Sequence, residues 1–324
     1  MLALGLFLLG LAVLIVGSEL LVRGGSRIAA MLGISPIVVG LTVVSIGTSF
    51  PELAVGIEAA IQGNGAIAVG NIAGTNIVNL LLILGLAAVL RPLKFELTTL
   101  RLDLPSMVIA ALTLLFMGFD LQLSRAEGII MVLLAIGYTA LVVKSARVQS
   151  VAVRREFSQE FAVPPRPRAG RTEFWTNLTA LLGGIIIIVV GADWLVDGAV
   201  ELARLIGASD AFIGLTVVAI GTSAPELVTA IVATVRGERN IAIGNLIGSS
   251  TYNILLILGI TALVPSGGIP VSPSLAYIDI PVMVAVVVAC VPLFLTRRGI
   301  NRIEGSVMIA AYFVYLAYLL VTRI

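Results

Sequence analysis

Apolar residues gather into ten runs, at about 2–22, 35–60, 66–90, 103–120, 126–146, 176–197, 209–234, 241–264, 275–296 and 304–322. A helix needs roughly 20 such residues to cross a ~30 Å hydrocarbon core, so each run reads as a transmembrane span. The longest polar stretch, Lys144 to Trp175, holds Pro164, Pro165, Pro167 and seven basic residues, and it splits the runs five and five. The pattern predicts an all-α membrane protein with ten transmembrane helices. Residues 1–146 form one five-helix unit, 147–175 a linker and 176–324 a second unit. The linker reads as a solvated tether, with lipid-headgroup binding or regulation by its arginines as the alternative.

The two units are copies. A shift of 174 residues aligns them without a gap from Gly17 to Gly85. Residues 40–53, GLTVVSIGTSFPEL, match residues 214–227, GLTVVAIGTSAPEL, at 12 of 14 positions. A second block pairs GNIAGTNIVNLLLILG at 70–85 with GNLIGSSTYNILLILG at 244–259. Weaker echoes pair Gly17 and Gly24 with Gly191 and Gly198, and Glu19 with Asp193. With five spans per copy, an odd number, the second copy must enter the membrane from the opposite side. The expected fold is therefore two inverted five-helix repeats, an arrangement typical of secondary transporters with a site at the midplane.

Composition agrees with lipid as the solvent: 59% of residues are hydrophobic, 12% are charged and the mean hydropathy is +1.13. A soluble domain carries about 25% charged residues. One cysteine, Cys290, and no histidine exclude an internal disulfide, a histidine proton relay and a His- or Cys-ligated metal. The first residues lack a basic region and a cleavage site, so they read as the first span rather than a signal peptide. Loops after spans 1, 3, 5, 7 and 9 hold 17 of the 20 Lys and Arg. Basic loops stay in the cytoplasm, which puts both termini outside and the linker on the cytoplasmic side.

Glu52 and Glu226 stand in the middle of spans 2 and 7. A charge at bilayer centre costs about 2.5–3.5 kcal/mol on insertion scales and needs a partner. No Lys or Arg lies at comparable depth, so the partner should be a bound cation or a proton. Each glutamate follows a proline, Pro51 or Pro225, expected to kink its helix and free the carbonyl of Gly47 or Gly221. Helical spacing puts Ser45, Thr48 and Glu52 on one face, with Ser49 beside it. The second copy offers Ala219, Thr222 and Glu226, with Ser223 beside it. Spans 3 and 8 carry polar stripes at i, i+4, i+8: Asn71, Thr75, Asn79 and Asn245, Ser249, Asn253.

All these donors are oxygens, which suit Ca²⁺, Mg²⁺ or Na⁺ rather than transition metals. Two carboxylates plus carbonyls or water reach about six or seven oxygens, within the 6–8 that Ca²⁺ accepts, whereas Mg²⁺ keeps its waters. Two glutamates also neutralise one divalent ion. Once it leaves, two buried like charges repel, so Na⁺ or H⁺ must take its place. That requirement is the physical basis of exchange.

At these residues the sequence resembles the sodium/calcium exchanger family, especially its prokaryotic members. The paired GTS-x-PE and G-N-x-x-G-[ST] segments look like that family's two α-repeats. The resemblance implies a ten-helix fold whose spans 2, 3, 7 and 8 form an ion-binding core, with spans 1 and 6 sliding across it. It implies Ca²⁺ binding by Glu52, Glu226 and the carbonyls of Thr48 and Thr222. It implies flanking Na⁺ sites built from the carbonyls of Ser45 and Ala219 with Ser49, Ser223, Thr75 and Ser249. Asn79 and Asn253 would line the centre. Well-known Na⁺/Ca²⁺ exchangers carry an aspartate where this chain has Asn253, so the centre holds two carboxylates rather than three. Either the amide is a tolerated substitute or the coupling to Na⁺ is altered.

The expectation is a Na⁺/Ca²⁺ antiporter, with Ca²⁺/H⁺ or K⁺-dependent exchange as alternatives. A channel fits poorly with inverted symmetry within one chain, and no protease pattern supports an intramembrane enzyme. No cofactor and no nucleic-acid partner are expected; Ca²⁺, Na⁺ and the bilayer are, and a monomer suffices. Glu19 and Asp193 read either as cation attractors at the two mouths or as interfacial residues. Glu58 is placed either on an access path or at a solvated helix end. Asp197 and Asp279 read as structural.

Overall fold

The computed structural model describes residues 2–160, 171–205 and 219–323. Its helices are α1 (Leu2–Leu32), α2 (Pro36–Thr48), α3 (Phe50–Ile61), α4 (Gly65–Leu90), α5 (Thr99–Asp120) and α6 (Arg125–Glu160) in the first half. The second half contributes α7 (Arg171–Leu205), α8 (Ala219–Thr222), α9 (Ala224–Arg236), α10 (Arg239–Leu263), α11 (Leu275–Leu295) and α12 (Arg302–Arg323). Among the described residues eight helices are long and apolar enough to cross a membrane, and α2 with α3, bent by 40°, makes a ninth. The protein is thus an all-helical membrane protein. Span 7 was expected over 209–234; residues 209–218, including Gly214 at the start of its motif, lie outside the described residues.

Several helices outrun their apolar stretches. Helix α1 continues ten residues past Val22, through Arg23 and Arg27, and stops at Gly33, whose φ of +65° is the left-handed conformation that ends helices. Helix α6 runs on to Glu160, well into the predicted linker, and α7 starts at Arg171. Residues 161–170, the rest of the predicted tether, lie outside the described residues. The reason is simple: a helix satisfies its own backbone in water as well as in lipid, so hydropathy marks where lipid ends and not where the helix does.

The central layer is α4 and α10, whose apolar windows are 78% and 83% buried against 17–39% for the other long helices. Around it α1 and α7 pack along their lengths on glycines. A Cβ at Gly17 would lie 2.9 Å from the Ile188 amide nitrogen, and one at Gly191 2.8 Å from that of Leu14. These two glycines are repeat mates, so the pair contacts through equivalent surfaces.

Short two-residue ribbons tie the loops. Strand β1 (Leu93–Lys94) pairs antiparallel with β4 (Gly299–Ile300), and β2 (Gln122–Leu123) with β3 (Ile269–Pro270). At the end shared by the loops after spans 1, 3 and 7, the Glu96 carboxylate accepts from Ser35 Oγ at 3.1 Å and Asn240 Nδ2 at 2.7 Å. Burial pushes that carboxyl above its ordinary range, with the Ser35 bond pulling the other way.

Candidate ion-binding site

Both GTS-x-PE segments break their helix at the serine. Ser49 has φ −86° and ψ 7°, and Ser223 has φ −86° and ψ 5°, so the two copies share one backbone geometry. The prolines lie in the first turn of the following helix rather than inside a kinked one. This corrects the expectation of a proline kink: a missing N–H costs nothing in a first turn, where donors have no intrahelical acceptor. Glu52 and Glu226 then fall in the first turns of α3 and α9. There the positive end of the helix dipole favours a carboxylate.

Both glutamates are fully buried, and their carboxylate oxygens make no well-formed hydrogen bond. They are near enough to each other to repel. The Thr48 and Ser49 side chains stand beside Glu226, so a first-half segment frames the second-half carboxylate. Among the described residues no group of three His, Cys, Asp or Glu is assembled. The charge of this centre is therefore the glutamate pair.

The hydroxyl face of α2 meets the polar stripe of α10. Thr48 Oγ1 donates to Asn245 Oδ1 at 3.1 Å and lies 3.5 Å from Ser249 Oγ. Ser249 Oγ lies 3.4 Å from the Ser45 carbonyl. Ser45 Oγ sits among three carbonyls, Gly40 at 2.6 Å, Asn245 at 3.0 Å and Gly244 at 3.3 Å. Gly248 permits this approach, since a Cβ there would lie 2.8 Å from the Leu41 carbonyl oxygen.

Ser45, Thr48, Ser49, Thr75, Asn79, Thr222, Ser223, Ser249 and Asn253 are all buried. The side-chain polar atoms of Ser49, Thr75, Asn79, Ser223 and Asn253 lack a hydrogen-bond partner. Such atoms are rare in a folded interior and mark a place built to hold something polar. Ala219 lies in α8 at the position matching Ser45. Asn79 and Asn253 stand in π-turns, Val78–Ile83 and Asn253–Leu258, and a third, Gly40–Val44, immediately precedes Ser45. Such turns widen a helix and recur at functional sites.

Asn245 was legible as the head of a stripe, yet its role as acceptor for Thr48 depends on contact across the repeat. Glu19 is reassigned. Its carboxylate is held by Arg23 and Arg236, so it is an ion-paired tie between α1 and α9 rather than a free cation attractor. Glu58 is exposed and accepts from Gln62, as a solvated helix end does.

The sodium/calcium exchanger protein family model matches residues 2–144 and 176–321, leaving out the span between the halves. Inner membrane protein YrbG of Escherichia coli (strain K12) is 36% identical over 324 residues, covering 98% of this chain and 97% of its own. Sodium/calcium exchanger MaX1 of Methanosarcina acetivorans is 34% identical over 345 residues, covering 97% of each chain. The solved structure of the sodium-calcium exchanger NCX_Mj matches with a TM-score of 0.83 at 30% identity, over 98% of this chain and 99% of that one.

Proposed function

The chain belongs to the sodium/calcium exchanger protein family, and on that premise we propose that it is a secondary antiporter exchanging Ca²⁺ for Na⁺ by alternating access. The observation that carries the reading is the mated pair Glu52 and Glu226, fully buried and near enough to repel, at two equivalent helix breaks. Ca²⁺ binds between these carboxylates, with the carbonyls of Thr48 and Thr222 completing its shell. Na⁺ takes flanking positions formed by the carbonyls of Ser45 and Ala219 with Ser49, Ser223, Thr75 and Ser249, while Asn79 and Asn253 line the centre. An empty centre leaves two desolvated like charges, so one ion leaves only as another arrives.

The fold behind this is ten spans in two inverted repeats, 1–146 and 176–324, joined by the linker. Support comes from the matched breaks and from π-turns at corresponding places, Thr99–Asp103 and Leu275–Asp279. The two ribbons also exchange roles, β1 with β3 and β2 with β4, as an inverted pair requires. On this reading both termini lie outside and the linker in the cytoplasm, an orientation supported by the basic loops. All proposed ligands come from one chain, so a monomer is competent.

A Na⁺ gradient across proteoliposomes should drive radiolabelled Ca²⁺ uptake, and the flux should stop when the gradient is collapsed. Asn253 favours one second reading, Ca²⁺/H⁺ exchange, because it removes a carboxylate that would help bind Na⁺. Uptake driven by a pH gradient and indifferent to Na⁺ would establish that reading in place of the first.

A further inference from the structure

On the lipid-facing side of the site, a groove of about 610 Å³ opens between α2, α6 and α10. Ile46 and Tyr252 form its inner wall, Ile136, Ala140 and Val143 its α6 side, and Lys144 one end. We propose that this groove holds one acyl chain of an anionic phospholipid, whose headgroup phosphate is bound by the Lys144 ammonium.

The dimensions fit a single leaflet. From Ala135 to Lys144 the groove follows α6 for nine helical steps, or about 13 Å at a rise of ~1.5 Å per residue. Half of a ~30 Å hydrocarbon core is about 15 Å, the depth one lipid chain spans. The polarity fits as well. The two hydroxyls in the wall, Thr139 and Tyr252, bond each other at 2.7 Å and ask nothing of a ligand. Ile136, Ala140 and Val143 are exposed, so the groove faces hydrocarbon. Lys144 is the first charge on α6 after Glu127, where that helix passes from its apolar run into the basic linker, and it has no ion-pair partner among the described side chains. A cation at that level draws anionic headgroups by about fivefold.

The position gives the lipid a consequence. Ile46 follows Ser45 and Tyr252 precedes Asn253, so the inner wall is the back of the segments that carry candidate ligands. A chain seated there props those segments from outside the site. The idea does not depend on which ions are exchanged.

Native mass spectrometry of the full chain in detergent, titrated with phosphatidylglycerol or phosphatidylcholine, tests it. The expected result is one phosphatidylglycerol held per chain, about fivefold tighter than phosphatidylcholine. Lys144→Gln should erase that preference, and Ala140→Phe or Val143→Phe should weaken binding of both lipids about tenfold. These three side chains are exposed, so the substitutions leave the packed core intact. Equal affinity for the two lipids in the unmodified chain would overturn the proposal, as would a preference that survives Lys144→Gln or binding that survives both groove-filling changes.

Discussion

At the first helix break Ser45 places its hydroxyl among three carbonyls, two of them in α10 of the other half. At the matching place in the second half stands Ala219, which has no hydroxyl to offer. The glutamates seven residues on, Glu52 and Glu226, are identical, equally buried and set on the same backbone turn. The repeat therefore preserves its charge and its break but not the frame around them. A shared carboxylate pair fixes what the centre attracts, while the frame decides how firmly each half holds its neighbour.

The sharpest test concerns the shared part. Glu52→Gln and Glu226→Gln should each abolish Ca²⁺ flux in proteoliposomes, because one carboxylate cannot balance a divalent ion. Neither should lower the thermal midpoint in ion-free detergent, since each removes a buried charge with no cationic side chain beside it. Flux surviving in one variant and not the other would show that the halves are unequal in charge as well as in frame.

Asn253→Asp probes the same centre from the opposite direction. A third buried carboxylate should destabilise the ion-free protein by about 3 kcal/mol, the scale on which an unpaired buried charge acts. Saturating Ca²⁺ should recover most of that loss, since ligand at 100 times its Kd contributes about 2.7 kcal/mol. Thermal unfolding with and without Ca²⁺ reads both effects. A variant as stable without Ca²⁺ as the unmodified chain would place Asn253 away from the glutamates.

Ser45→Ala makes the first half match the second at this position. It leaves the Gly40, Gly244 and Asn245 carbonyls without that donor, at a cost of about 1–3 kcal/mol. The midpoint should fall, with Ca²⁺ flux reduced rather than lost. Ala219→Ser should give no matching gain, so the two changes together measure the asymmetry of the frame.

Much of this was legible because lipid makes polarity conspicuous. Glu52, Glu226 and the stripes of spans 3 and 8 stand out in apolar runs, and the repeat sorts them into pairs. The sequence predicts a kink at the prolines, whereas the chain turns at Ser49 and Ser223 and uses Pro51 and Pro225 to start the next helix. Glu19 resisted a sequence reading because its partner Arg236 is 217 residues away. The π-turns at Asn79 and Asn253 have no composition of their own; they arise from packing. Helix ends beyond the membrane, at Leu32 and Glu160, carry no hydropathy signal at all.

The smallest expected effect lies outside the membrane, where Glu96 joins loops of both halves through Ser35 and Asn240. Burial holds this carboxyl above its ordinary range, so the folded protein binds its proton more tightly than the unfolded chain. Its contribution is then fully present below about pH 4.3, the unfolded value for glutamate, and is lost as pH rises through the higher folded value. Glu96→Gln keeps a side-chain carbonyl for both donors and cannot ionise. It should flatten the decline of the thermal midpoint with rising pH and raise that midpoint by roughly 2 °C at neutral pH. A steeper decline in the variant would mean that the ionised carboxylate is the form this junction requires.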